Sequence, residues 1–169
     1  MAATGMTTYL WFDDQALEAA TFYVGLFPDS RLGNISYYQA DAQRPEGSVL
    51  TVEFQIFGRP FAGLNGGPQF PHSEAVSFQV ACETQDDVDR LWNALTADGG
   101  AESQCGWCKD KWGISWQIIP AALGRALQVP AARRTPAANG TPLPALRILV
   151  GQDNPVNRHL AQAMLAAPA

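Results

Sequence analysis

An α+β fold made of two β-α-β-β-β modules in one domain is what this sequence predicts. Three observations carry that expectation. A strand, a helix and three further strands can be traced twice along the 169 residues. The helical pairs Phe22-Tyr23 and Leu91-Trp92 recur about seventy residues apart. The extended runs are rich in β-branched and aromatic residues and are bounded by Gly and Pro.

Residues 7–12 form the first strand by composition. Asp13 and Asp14 offer an N-cap to a helix whose apolar residues Leu17, Ala20, Tyr23, Val24 and Phe27 follow helical spacing, and Pro28 stops it. Residues 31–38 make a second strand. Residues 48–57 alternate for a third, and Gly58-Arg59-Pro60 turns the chain into a fourth at 61–65. Gly66-Gly67-Pro68 closes the first module, and 69–74 link it to the next. The pattern then restarts with a strand at 75–82. A helix follows, capped by Thr84 with Asp86 and Asp87 in its first turn, striped by Val88, Leu91, Trp92 and Leu95, and ended by Gly99-Gly100. Short strands at 101–104, 107–109 and 114–119 complete the second module, with Lys109-Asp110-Lys111 as a polar turn and Pro120 as the stop. Two curled four-stranded sheets would then each carry a helix outside and face a cavity between the modules.

Charged residues make up 16% and apolar ones 47%, which places the chain among globular proteins. A net charge of −5 argues against nucleic acid and against an anionic membrane as partner. No run reaches the length of a spanning helix, and the N-terminus lacks a basic region followed by an apolar one. Three cysteines, an odd number, suit a reducing compartment. A soluble cytoplasmic protein is expected.

Six blocks, in order, carry a resemblance: Leu10-Trp11-Phe12-Asp13, residues 18–24, residues 64–68, residues 74–78, Asp89-Arg90-Leu91-Trp92 and residues 104–120. Together they resemble the PhnB-like, 3-demethylubiquinone-9 3-methyltransferase-like branch of the vicinal oxygen chelate superfamily. That superfamily also contains glyoxalase I, extradiol dioxygenases and the bleomycin- and fosfomycin-resistance proteins. The resemblance covers about residues 7–127. It implies the glyoxalase-like fold, a homodimer, and in metal-using members a divalent ion held by His, Gln or Glu from the first and last strands of each module. Carried over, those positions are Thr8, Asn65, Ala75 and Gln117. A hydroxyl, two amides and a methyl are weak donors without negative charge, so no metal is expected. The methyltransferase name finds no support either: no strand is followed by a Gly-rich turn opening a helix, and no cofactor is expected.

The domain is expected to span 1–127, with modules at about 7–68 and 74–120. Residues 128–145 read as a Pro- and Ala-rich flexible linker. Residues 146–169 read as an extension of one short strand and one helix, whose start weakly resembles a response-regulator receiver domain with Asp153 at an acidic position. The other reading is a C-terminal helix of the family type after an insertion.

Gln117 sits mid-strand in an alternating run, so it is either a core amide held by neighbours or a wall of a wet cavity. The leading functional reading is binding of a small organic molecule in a cavity lined by Thr8, Phe12, Asn65, Ser77, Gln104, Trp107 and Gln117. The alternatives are a metal-dependent lyase, isomerase or dioxygenase, and an interaction module without chemistry. No catalytic residue is assigned. Cys105-Gly106-Trp107-Cys108 has C-x-x-C spacing but falls on a predicted strand, not at a helix N-terminus that would lower a thiol's pKa. Glu53 is the one mid-strand carboxylate positioned for acid-base work, with solvent exposure as the plainer reading. His72 and His159 read as a linker residue and a tail residue.

Overall fold

Local sequence patterning sets down ten elements among the described residues: β1 (Thr8–Phe12), α1 (Ala16–Leu26), β2 (Arg31–Tyr37), β3 (Val49–Ile56), β4 (Arg59–Asn65), β5 (Ser77–Cys82), α2 (Gln85–Thr96), β6 (Ala101–Glu102), β7 (Trp107–Lys109) and β8 (Ser115–Pro120). The structure, a computed structural model, describes residues 4–40, 42 and 44–122. The expected linker, the C-terminal extension, Asp153 and His159 lie outside the described residues. The chain divides into two units, Met1–Ser73 and Glu74–Ala169.

Both sheets have four strands in equivalent order, β1-β4-β3-β2 and β5-β8-β7-β6. In each unit the first strand pairs parallel with the last. Thr8 lies opposite Phe61 and Phe12 opposite Asn65, while Ser77 lies opposite Ser115 and Gln79 opposite Gln117. A parallel partner needs a long crossover, which the helix and the intervening strands supply.

In the first unit, α1 packs on one face of its sheet through Ala16, Ala19, Ala20 and Tyr23, all fully buried. Tyr23 stacks on Phe54 at 6.2 Å, and Phe54 on Phe61 at 5.4 Å. The alanines let the helix come close. A Cβ at Gly63 would stand 3.0 Å from the Ala16 Cβ and 3.2 Å from Val52, so the bare glycine sets that approach.

Two expectations are corrected here. Asp13 and Asp14 do not cap α1. The N-cap position is Gln15, whose side chain makes no cap bond, and the Ala16 N–H is met by Asn65 Oδ1 across the sheet at 2.8 Å. Asp13 instead pairs with Arg44 at 2.6 Å. The β3–β4 turn is also shorter than the sequence suggests. Phe57 and Gly58, at φ 51 and 69, form a two-residue hairpin turn, and β4 begins at Arg59. Pro60 is tolerated because it follows the bonded Ile56–Arg59 pair. Its nitrogen therefore faces the β1 side, where pairing starts only at Phe61.

In the second unit, Thr84 Oγ1 accepts the Asp87 N–H at 3.1 Å and starts α2. Leu91 and Leu95 are buried with Val80, Cys82, Cys108, Trp116 and Ile118. Gly100 closes the helix exit: a Cβ there would meet the Leu95 carbonyl at 2.3 Å. Ala75 is not on a strand, since β5 starts at Ser77 and Ala75 lies in the turn before it. Cys105 is not on a strand either. Cys105 and Gly106 take φ 57 and 79 as the two central residues of the β6–β7 turn, and Trp107 N–H donates to the Gln104 carbonyl at 2.9 Å.

Asp110, expected as part of a polar turn, is 3% exposed. Its Oδ1 accepts the N–H groups of Trp112 and Ile114, both at 3.0 Å, and its Oδ2 accepts Trp116 Nε1–H at 2.8 Å. A buried carboxylate is tolerable when donors surround it in this way. It fixes the β7–β8 connection and the indole beneath β8.

Candidate functional site

Alternation along the second sheet sorts its side chains by face. Phe78, Cys108 and Trp116 occupy one ladder row on the side packed by α2, with the Phe78 and Trp116 rings 5.4 Å apart. Ser77, Gln79, Trp107, Lys109, Ser115 and Gln117 therefore occupy the opposite face.

On that face a row of neutral groups is joined. Gln117 Nε2 donates to Ser77 Oγ at 2.7 Å, and Gln79 Nε2 donates to Gln117 Oε1 at 3.1 Å. Gln117 keeps a second amide hydrogen and a second carbonyl lone pair, and the Ser77 hydroxyl hydrogen can donate onward. Trp107 is directly opposite Gln117 in the β7–β8 ladder and is half-buried. Ser115 is 1% exposed, and its Oγ is buried without a hydrogen-bond partner among the described residues. Lys109 closes the row as the ion-pair partner of Glu74. The hydrogen bond from Lys109 holds the Glu74 carboxyl below the usual range.

The second unit thus brings Ser77, Trp107 and Gln117 together, with Gln104 at the β6–β7 turn beside Trp107. In the first unit, Thr8, Phe12 and Asn65 share the side of the sheet that carries α1. Phe12 is 4% exposed and meets the His72 ring edge-on at 5.6 Å. Both ends of the Asn65 amide are engaged, Oδ1 by Ala16 N–H and Nδ2 by the Val49 carbonyl at 3.0 Å. Its backbone carbonyl accepts the Tyr38 hydroxyl at 2.6 Å. Sequence reasoning missed Gln79 and Ser115. Period-two spacing from Ser77 and Gln117 was the signal that could have found them.

A divalent ion does not suit these donors. Gln117 and Asn65 already spend their amides on protein partners, Ala75 brings no donor atom, and Thr8 brings an uncharged hydroxyl. Among the described residues no group of three or more His, Cys, Asp or Glu stands close enough to hold an ion. Glu53 is exposed and accepts Asn34 Nδ2–H at 3.0 Å. The His72 Nε2 is buried without a partner among the described residues. Neither thiol on the packed side is poised for attack: burial raises Cys82, and burial, with Asp110 and Glu102 adding, pushes Cys108 up to about 12. Among the described residues no helix is long and apolar enough to cross a membrane.

The 3-demethylubiquinone-9 3-methyltransferase family model matches residues 4–119. Among solved structures, the chain is similar to a putative 3-demethylubiquinone-9 3-methyltransferase, the PhnB protein from Bacillus cereus. Identity is 30% and the TM-score 0.61, over 69% of this chain and 99% of that one. A protein from Pseudomonas aeruginosa is 17% identical with a TM-score of 0.55, over 70% of this chain and 98% of its own. The fosfomycin resistance protein FosX of Listeria monocytogenes, solved with Mn(II) and 1S,2S-dihydroxypropylphosphonic acid, is 16% identical with a TM-score of 0.51, over 76% and 100%. No curated protein matches the chain.

Proposed function

Because this chain belongs to the PhnB-like 3-demethylubiquinone-9 3-methyltransferase family, with its glyoxalase-type fold, we propose that it binds a small uncharged organic molecule without the help of a metal ion. The observation that carries this reading is the Ser77–Gln117–Gln79 row beside Trp107 on the face of the second sheet turned away from α2. Neutral donors and acceptors next to an aromatic surface are what a carbonyl- or hydroxyl-bearing molecule needs for orientation. The Ser115 hydroxyl on the same face, without a partner among the described residues, supports the reading, since a buried donor is unfavourable until something accepts from it.

The family's name is not a description of this site. A nucleotide-type methyl donor is cradled where a Gly-rich turn joins a strand to a helix. Here the β1–α1 turn is Asp13-Asp14-Gln15, and Asn65 already occupies the helix start. The β5–α2 turn is Glu83-Thr84, and Asp86 and Asp87 follow it. Such a cofactor does not fit these residues, and methyl transfer forms no part of the proposal.

The test is a fluorine NMR screen of uncharged fragments bearing carbonyl or hydroxyl groups, on the unmodified protein and on Gln117→Leu and Ser77→Ala. Hits should weaken in both variants. Hits that bind all three proteins equally would remove the row as the site. The proposal keeps the homodimer implied by the resemblance, and light scattering at the 18.2 kDa of one chain would remove that part.

A further inference from the structure

The first unit carries a cleft of about 250 Å³ that the row of neutral groups does not share. Tyr9, Arg31, Glu53, Gln55 and Ala62 line it, and register puts them on the sheet face turned away from α1. Gly33 lines it too, at a β-bulge between Leu32 and Ile35. A Cβ at Gly33 would press on Glu53 at 3.1 Å, so the glycine keeps the strands close and the cleft open. The bulge also sets Asn34, whose amide holds Glu53 Oε2 at 3.0 Å.

Arg31 and Glu53 are the two charged side chains among the lining residues, so the cleft is electrically balanced. They nevertheless do not pair. The Arg31 side chain has no ion-pair or hydrogen-bond partner among the described residues, and the Glu53 carboxylate is bonded to Asn34 alone. The Tyr9 hydroxyl and the Gln55 amide are likewise without partners there. Two opposite charges in one cleft, unpaired with each other and each with unused valence, match a ligand that carries both signs. A guanidinium fork takes a carboxylate in bidentate fashion, and a carboxylate takes an ammonium.

We infer that this cleft is a second ligand site, and that its ligand is a small zwitterion of the α-amino-acid class. The ligand's carboxylate lies on Arg31, its ammonium on Glu53, and its side chain against Pro60 and Ala62. The volume is below the usual range for drug-sized pockets, in keeping with a single small metabolite.

Calorimetric titration of the full chain at low ionic strength tests this, with L-phenylalanine, 3-phenylpropanoate and 2-phenylethylamine as probes. The second lacks the ammonium and the third lacks the carboxylate. L-phenylalanine should bind about fivefold tighter than either, since each charge-assisted contact at an exposed site is worth roughly that factor. Arg31→Gln should bring phenylalanine down to the level of phenylethylamine, and Glu53→Gln to that of phenylpropanoate. Asn34→Ala should cut affinity for the ammonium-bearing probes alone. Both Arg31 and Glu53 are exposed, and unchanged melting temperatures will confirm that the variants fold. Equal affinities for the three probes, or no heat with phenylalanine, would overturn the inference. So would loss of phenylalanine binding in Gln117→Leu, which would assign the ligand to the other unit and leave the proposed uncharged-molecule site as a separate question.

Discussion

Replacing Asn65 with alanine tests the account of how the first unit is held together. The amide satisfies two backbone groups at once, the buried Ala16 N–H at 2.8 Å and the part-buried Val49 carbonyl at 3.0 Å. Alanine leaves both without partners at a residue that is 3% exposed. An orphaned buried backbone group costs about 1–2 kcal/mol, so the pair should cost about 3 kcal/mol. That is a large part of the 5–15 kcal/mol typical of a domain. In urea, where slopes run about 1–3 kcal/mol per M, the midpoint should fall by roughly 1–3 M at unchanged slope. Asn65→Asp separates the two bonds. It keeps the acceptor for Ala16 N–H and favours the positive end of α1, but it turns an oxygen toward the Val49 carbonyl. Its loss should be about half that of alanine. Hydrogen exchange at the Ala16 amide gives a local readout, fast in the alanine variant and protected in the aspartate variant. An alanine variant whose midpoint stays within about 0.3 M of the parent would refute the reasoning.

Asp110→Asn should lower stability by about 2–3 kcal/mol, because one of its ends becomes a donor facing donors, and should shift tryptophan emission as Trp116 loses its partner; unchanged emission and midpoint would contradict this. Iodoacetamide at pH 8 should label Cys105 well before Cys108, whose thiol is pushed up to about 12 by burial. Because that folded value lies above the ordinary 9.0, the neutral thiol's contribution is complete below pH 9 and lost as pH climbs toward 12. The parent should lose stability across that window faster than Cys108→Ala. Added Zn²⁺, Ni²⁺, Mn²⁺ or Fe²⁺ should leave the melting temperature where it is, and stoichiometric metal by elemental analysis would put the metal-dependent enzyme reading ahead of metal-free binding.

Much of the fold was legible because period-two alternation and the capping signal at Thr84 are local properties of the chain. The repeated order of elements showed the duplication without any shared identities. The errors arose where a distant residue decided a local question. Asp13 and Asp14 looked like caps because nothing near them in sequence announces that Asn65 will supply the acceptor across a parallel pair. Phe57 looked like the end of a strand, since an aromatic at φ 51 is tolerated only because Gly58 and the Asp29 carbonyl fix the turn around it. Asp110 could have been found. Asp110-Lys111-Trp112-Gly113 has Asp at the first and Gly at the fourth position of a β-turn, where the carboxylate commonly bonds the backbone two residues on. In the candidate site, Ser77 and Gln117 followed from alternation, whereas their bond to each other depends on the β5–β8 register, which no local pattern encodes.

The parallel seam between the first and last strands of each unit gives folding a fixed order of events. The β3–β4 hairpin turns in two residues and can zip within microseconds. β1 must wait until nearly the whole unit has been made and threaded back, because its partner is β4. Until then the inner edge of β4 is open and α1 has no acceptor at its first N–H, so the Asn65–Ala16 bond forms in the same moment as the seam. A ribosome releasing this chain would therefore hold at most the β2–β3 pair, with a dangling N-terminal strand, for as long as β4 remains in the exit tunnel. The second unit repeats that delay with β5 and β8.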